Sequence, residues 1–436
     1  MRLDHIVLQN YRCYKRFEAS FRPGFNVIAG VNGSGKTSLL KGISEALTCL
    51  TMYMPLRPEN IGTFADADVV HIQSEVFNGR YRFEPRYPTR LEATGEVFGQ
   101  LCSWTAERAS QASGQTVSGQ VPGQIWQTMQ QSNDAASAQD VPAMTLPLIA
   151  FYPAYRQWAP AQPNELSAAT ERVSRTDGYR RWWDAPSDSG GLQQWAVVKS
   201  LERLQIASEQ SLPWSAFVDD ELALANVALA AVVDGVKELR YDFSQKSLLV
   251  EWSTGAPPTA FRNLSDGQRV AIALVMDIAR RMCLLNPHLA SAVTKETPGV
   301  VLIDELDVHM HPKWQRLITK GLPAAFPRVQ FIAASHSPQV LGELHPEQIL
   351  LLHAGGVAHP QVSYGLDSSR VLEQIMEAKP RASEVEEKLS ALFESIERNQ
   401  LTDARELLVA LRASAPGIPE LAGAEALLLR KEVIGR

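Results

Sequence analysis

Near the N-terminus, Gly30-Val31-Asn32-Gly33-Ser34-Gly35-Lys36-Thr37 fits G-x-x-x-x-G-K-[ST] without a mismatch. Glycines at these positions let the backbone bend so that successive N–H groups face phosphate oxygens, at the positive end of the helix that follows. Lys36 supplies a point charge for terminal phosphates and the Thr37 hydroxyl is suited to ligating Mg2+. Gly30, Asn32, Gly33, Ser34, Gly35 and Ser38 complete the expected cradle. Far along the chain, Val300-Val301-Leu302-Ile303-Asp304-Glu305 is an apolar run closed by two carboxylates. Asp304 is expected in the Mg2+ shell, and Glu305 as the general base that polarises an attacking water. A second apolar run, Gln330-Phe331-Ile332-Ala333-Ala334, leads into Ser335-His336-Ser337, where His336 could donate to a γ-phosphate. Lys36, Glu305 and His336 are thus the expected catalytic groups, with ATP and Mg2+ as cofactors.

These groups need a scaffold that brings distant segments together. Phe25-Asn26-Val27-Ile28-Ala29 reads as a short strand feeding the glycine loop, and Leu39, Leu40, Ile43, Ala46 and Leu47 recur at helical spacing after it. The 300–304 run fits a strand buried on both faces of a parallel sheet. Residues 68–101 alternate apolar and polar, as antiparallel strands do, and 239–252 reads as a hairpin turning at Ser244-Gln245-Lys246. The 165–235 region reads as mainly helical, anchored by Trp182, Trp183, Leu192, Trp195 and Leu201. Residues 103–140, rich in Ser, Gln, Ala and Gly, are either a solvated helix or a mobile insertion. The expected core joins both ends of the chain around this insertion, and Leu389, Leu392, Phe393 and Ile396 mark one face of a helical tail.

Bulk properties narrow the classes further. The chain has 436 residues, 45% hydrophobic and 21% charged, ordinary for a globular protein. No apolar run approaches the roughly 18–20 residues that span a bilayer, and no signal-peptide pattern opens the chain, so a cytoplasmic protein without membrane contact is expected. A net charge of −6 argues against a protein that coats nucleic acid on its own. Cys13, Cys49, Cys102 and Cys283 form no C-x-x-C pair and are each expected as small buried hydrophobes.

Leu264-Ser265-Asp266-Gly267-Gln268 precedes a strongly apolar helix and resembles the signature loop of the ABC ATPases, usually LSGGQ, with Asp266 in place of a glycine. The resemblance implies an α/β fold, an ABC-type P-loop ATPase head with mixed sheet, helical insertion and helical C-terminal tail. It also implies a head-to-head homodimer or higher oligomer, in which Ser265, Gly267 and Gln268 contact the nucleotide of the opposite head. Asn10-Tyr11-Arg12 resembles the N-[FY]-[RK] opening of SMC, RecF and RecN-like ATPases, which implies nucleotide contact by Arg12; an exposed strand-end arginine is the plain alternative. Asp304-Glu305-Leu306-Asp307-Val308-His309-Met310-His311-Pro312 resembles a run of OLD-like ATPases, which implies that Asp307 and His309 lie in a D-loop at the dimer interface and that His311 is structural. Gln73 is a candidate Q-loop glutamine by chain order only.

Three further segments, Pro147-Leu148-Ile149-Ala150-Phe151-Tyr152-Pro153-Ala154-Tyr155-Arg156, Ser174-Arg175-Thr176-Asp177-Gly178-Tyr179 and Leu401-Thr402-Asp403-Ala404-Arg405-Glu406-Leu407, resemble standalone ATPases of bacterial anti-phage cassettes. The family implied is the PtuA-type ATPase of Septu systems and of retrons that carry an ATPase with an HNH nuclease. It implies control of a separate HNH-type nuclease, with nucleic acid reached through the complex. A RecF-like repair ATPase that binds DNA directly is the competing reading, and a transporter subunit a third, disfavoured by the opening motif and the D-loop histidine. The expected division is 1–102 for a first ATPase lobe, 103–254 for the insertion and hairpin, 255–365 for a second lobe and 366–436 for the tail.

Overall fold

Gly299–Ile303, a run of small and branched apolar residues, is buried along its whole length. Such a strand is stable only with both faces covered, and each fully buried Val, Leu or Ile contributes about 1.5–3 kcal/mol. In the computed structural model it pairs in parallel with Leu148–Tyr152 on one side and Val329–Ala334 on the other. Val329–Ala334 pairs in parallel with Phe25–Ala29, which in turn pairs with Ile349–His353. An antiparallel Gly356–Ala358 closes that edge of the six-stranded sheet. Strands from residues 25–29, 148–152, 299–303, 329–334, 349–353 and 356–358 therefore build the core sheet. The structure describes all residues except 53–69, 78–79, 122–123, 126, 128–130, 132–143, 157, 159–172, 212, 214–215, 354–355, 379–380 and 435–436.

Helix Lys36–Thr51 buries Leu39, Leu40, Ile43, Ala46 and Leu47, the apolar positions read from the sequence. Helix Asp266–Leu285 is buried nearly all round, and two of its arginines, Arg280 and Arg281, are sequestered with it. They are neutralised in place: Asp277 accepts from both, Asp188 accepts from Arg280, and Tyr152 donates its hydroxyl to Asp277. Unpaired charges at such depth would cost several kcal/mol each, so this group behaves as one interlocked unit. An antiparallel five-stranded sheet runs in the order Tyr14–Ser20, Arg2–Tyr11, Thr89–Val97, Gln100–Arg108, Thr116–Gly119. His71–Phe77 pairs with Arg80–Arg86, and Val236–Asp242 with Ser247–Trp252, the latter as the hairpin expected.

Two expectations are corrected. The stretch beginning at residue 103 is not a solvated helix at its start: the strand continues to Arg108 and Thr116–Gly119 adds another. Cys102, Trp104 and Ala106 alternate into the core there, and Trp104 Nε1 donates to the Ala46 carbonyl at 2.9 Å. Pairing with Thr89–Val97 thus overrides composition; much of 120–140 lies outside the described residues. Cys13 is exposed, whereas Cys49, Cys102 and Cys283 are buried. It sits in the short turn between the first two strands, where connecting residues run over the surface.

The chain divides into units Met1–Leu366 and Asp367–Arg436. The second is a set of helices whose own core holds Leu389, Leu392, Ile396, Ala404, Leu408, Leu411, Leu421, Ala424 and Leu428, with Phe393 packed against it. Among the described residues no helix is long and apolar enough to cross a membrane.

Candidate functional site

Four loops leave the C-terminal ends of adjacent parallel strands. Val27 pairs with Ala333, Ala333 with Ile303, and Ile303 with Tyr152, so the ends lie in register. The glycine loop follows the first of these strands, Ser335-His336 the second, Asp304-Glu305 the third and Arg156 the fourth. Ligands of open parallel sheets bind at this edge.

The glycine loop ends at the N-terminus of helix Lys36–Thr51. Gly35 has φ 102°, and a Cβ there would stand 2.3 Å from the Tyr14 hydroxyl, which donates to the Gly35 carbonyl at 3.0 Å. Both conformation and close approach demand glycine. Lys36 Nζ donates to the carbonyls of Gly30 (3.1 Å) and Val31 (3.2 Å). Burial lowers its pKa from the ordinary lysine value, while the carboxylates of Glu305, Asp304 and Asp307 pull the other way. Lys36 thus faces the carboxylate cluster across the loop. Ser34 Oγ is buried without a partner, a polar atom left for a ligand. Asn32 and Thr37 are exposed and Ser38 is half-buried at the helix start. Beside the loop a cleft of about 910 Å³ is walled by Tyr14, Lys15, Phe17, Asn32, Ser34 and His353, a volume suited to a small ligand. Arg12 adjoins this wall in a half-buried turn with φ 48°, and His71 Nδ1 donates to its carbonyl. Tyr11 is core, and Asn10 donates to the Pro88 carbonyl, so the rest of that opening motif serves the fold. Gln73 lies in the His71–Phe77 strand.

Asp304 is 1% exposed and its Oδ1 has no partner. A buried carboxylate oxygen left open is what a cation would satisfy, so the residues fit Mg2+. Among the described residues no three His, Cys, Asp or Glu side chains gather to hold a metal alone. That accords with Mg2+, which is commonly held through one or two carboxylates and substrate phosphates. Thr37 and Asp304 would hold it, and it would supply charge neutralisation at the phosphates. Glu305 has φ 49°, a left-handed conformation costing a non-glycine residue about 1–3 kcal/mol. Burial raises its pKa above the ordinary range, opposed by His336 and assisted by Asp307 and Asp304. His336 Nε2 stands 3.8 Å from Glu305 Oε1. The turn is held by Arg156, which is 6% exposed and donates to the carbonyls of Asp304 (2.6 Å) and Glu305 (2.5 Å). Hydrogen bonds from a charged donor contribute about 1.5–3 kcal/mol each, enough to offset the strain. Burial brings the Arg156 pKa down to about 10, against the pull of Asp304, Asp307 and Glu305, so it remains charged.

Asp307 Oδ1 accepts from Ser335 Oγ (2.6 Å) and His336 N (3.3 Å), joining the two loops. Gln315 Nε2 donates to the carbonyls of Asp307 and Met310, and Ser337 Oγ donates to Gln315 Oε1. His311 caps helix Pro312–Ala325 by accepting from Lys313 N. Ser265 and Gln268 form a reciprocal capping box at the start of helix Asp266–Leu285. Gly267 is buried against the D-loop: a Cβ there would lie 1.9 Å from the His309 carbonyl oxygen. The segments around Gly267 and His309 therefore pack together, while none of the hydrogen bonds among the described residues joins Ser265 or Gln268 to the glycine loop. Sequence reasoning missed Arg156, Tyr14, Ser335 and Gln315 as parts of the site. Arg156 stood within a quoted motif, but nothing local showed where its side chain goes.

Fold and site together define a P-loop ATPase. Over residues 25–342 the chain matches the family described as "AAA domain, putative AbiEii toxin, Type IV TA system", and it belongs to that family. It is 25% identical to the Retron Vc95 probable ATPase of Vibrio cholerae serotype O1 biovar El Tor, over 81% of this chain and 74% of the relative. Identity to the Retron Ec83 probable ATPase of Escherichia coli is 24%, over 88% and 78%. The Septu protein PtuA of Bacillus thuringiensis is 28% identical over 36% of this chain and 44% of its own. Among solved structures, an SmcHead bound to the C-winged helix domain of ScpA has a TM-score of 0.46 at 12% identity, covering 82% of this chain and 97% of that one.

Proposed function

We propose that this ATPase is the nucleotide-driven regulator of an anti-phage defence system. Two heads close on ATP, each lending its signature residues Ser265, Gly267 and Gln268 to the other's site, and a separate HNH-type nuclease does the cutting. The observation that carries the ATPase half is the convergence of Lys36, Asp304, Glu305 and His336 on one edge of the parallel sheet. The defence setting draws on the relatives named for retrons and Septu. In the working cycle the backbone N–H groups of residues 31–37 and Lys36 bind the phosphates, and Asp304 and Thr37 would hold Mg2+. Glu305 accepts a proton from the attacking water, and His336 steadies the γ-phosphate. Asp307, bonded to Ser335 and His336, couples the state of that pocket to His309 in the same D-loop, beside the surface where the second head docks.

The test is purification of the tagged chain with the products of its neighbouring genes. A nuclease subunit is expected to co-purify, with its activity changing when ATP is replaced by ADP. Absence of any nuclease, together with ATP-dependent DNA binding by the chain alone that weakens steeply with salt, would replace this reading with a RecF-like one.

A further inference from the structure

The loop Pro153-Ala154-Tyr155-Arg156 leaves the same sheet edge as the glycine loop and the carboxylate strand. Its last two residues point opposite ways: Tyr155 is 87% exposed, and Arg156 is turned inward with its two Nη atoms on the carbonyls of Asp304 and Glu305. We infer that Arg156 is a positioning residue for ATP hydrolysis, whose forked grip on two successive carbonyls holds the turn that aims the Glu305 carboxylate. The inference rests on Glu305 being the general base.

The fork is selective for the turned backbone. In an extended strand successive carbonyls point to opposite sides, so one planar guanidinium cannot receive both; they converge only when the chain between them turns. That turn is the left-handed Glu305, at φ 49°. Arginine presents its donors in a fixed fork, whereas a lysine ammonium is a point charge that does not reproduce it. The grip is braced at its own base, because Asp304 N donates to the Tyr152 carbonyl at 2.8 Å, four residues before Arg156. Beyond the turn, Val308 N donates to the Glu305 carbonyl and Leu306 N to that of Ala334. The backbone is thus fixed on either side of Glu305, and the side chain is left to face His336. Release of the fork lets the residue return toward the extended conformation that L side chains favour, and the carboxylate turns away.

The experiment compares Arg156→Lys, Glu305→Gln and the double variant with the parent chain, measuring kcat and binding of a fluorescent ATP analogue. Arg156→Lys is expected to lose about 100-fold in kcat, the cost of a displacement near 1 Å at a reacting group, and to bind nucleotide as the parent does. In the Glu305→Gln background the same change is expected to remove nothing more, because the carboxylate it aims is gone. Unchanged turnover, an additive further loss in the double variant, or failure of Arg156→Lys to bind nucleotide overturns the inference; the last two assign the arginine to the fold instead. If Glu305→Gln alone keeps the parent's turnover, the base assignment fails, and the inference falls with it.

Discussion

Glu305→Gln is expected to bind ATP as the parent does and to lose about 10²–10⁴-fold in turnover, the range that a positioned general base contributes. The substitution keeps the shape of the side chain and removes only its capacity to take a proton. It also removes a carboxylate next to Asp304 and Asp307, a like-charge crowding reflected in the raised Glu305 pKa. Bound nucleotide therefore accumulates unhydrolysed, and the closed form of the head is expected to persist. The pH profile supplies a second readout. Burial raises the Glu305 pKa, so the carboxylate is protonated at a higher pH than an ordinary glutamate. Only the deprotonated form can act as base, so kcat/KM falls as pH drops through the raised pKa of the free enzyme, and the acid limb sits above that of an ordinary glutamate. In Glu305→Gln that limb disappears. Measurement of kcat/KM across pH, with turnover and nucleotide occupancy at saturating ATP recorded in parallel, checks both effects.

Lys36→Ala acts at the other end of the reaction. The ammonium lies on the Gly30 and Val31 carbonyls and faces Glu305, Asp304 and Asp307. Removing it takes away a charge-assisted contact to phosphate, about 1.5–3 kcal/mol, or roughly 10- to 150-fold in Kd. It also leaves Arg156 as the remaining cation near the carboxylates of Glu305, Asp304 and Asp307, so the site repels the negatively charged nucleotide more strongly. Weakened ATP binding is thus the primary expected defect, with turnover lost as its consequence. Titration of the purified variant with labelled ATP separates the two substitutions: Glu305→Gln saturates at the parent's concentrations and Lys36→Ala does not.

How much of this was legible in the sequence differs from element to element. The glycine loop is local: a bending backbone, a lysine and a hydroxyl fall within eight residues, and the strand before and helix after are equally local. The carboxylate strand declares itself by its unbroken apolar run. Ser265 and Gln268 obey a three-residue capping pattern that sequence alone carries. Arg156 is different. Its partners lie 148 and 149 residues away and are backbone carbonyls, which have no sequence signature. The left-handed conformation of Glu305 is hidden for the same reason, since tertiary hydrogen bonds rather than residue type impose it. Tyr14 reaches Gly35 only because the first hairpin folds over the loop. In the 102–119 stretch the inward alternation of Cys102, Trp104 and Ala106 was present, but a Ser- and Gln-rich surround masked it.

On the proposed cycle, two heads complete each other's nucleotide sites. Mixing two inactive chains, one carrying Lys36→Ala and the other Ser265→Arg, tests it most directly. Ser265 is exposed at the start of its helix, so the arginine fits in the folded head; it gives up the cap shared with Gln268, about 0.5–2 kcal/mol, and obstructs what docks there. Each variant alone is expected to lack turnover, and the mixture to regain part of it. In a mixed pair, the intact glycine loop of one chain meets the intact signature of the other. Ser265→Arg that hydrolyses ATP like the parent, or a mixture as inactive as its components, would contradict the account.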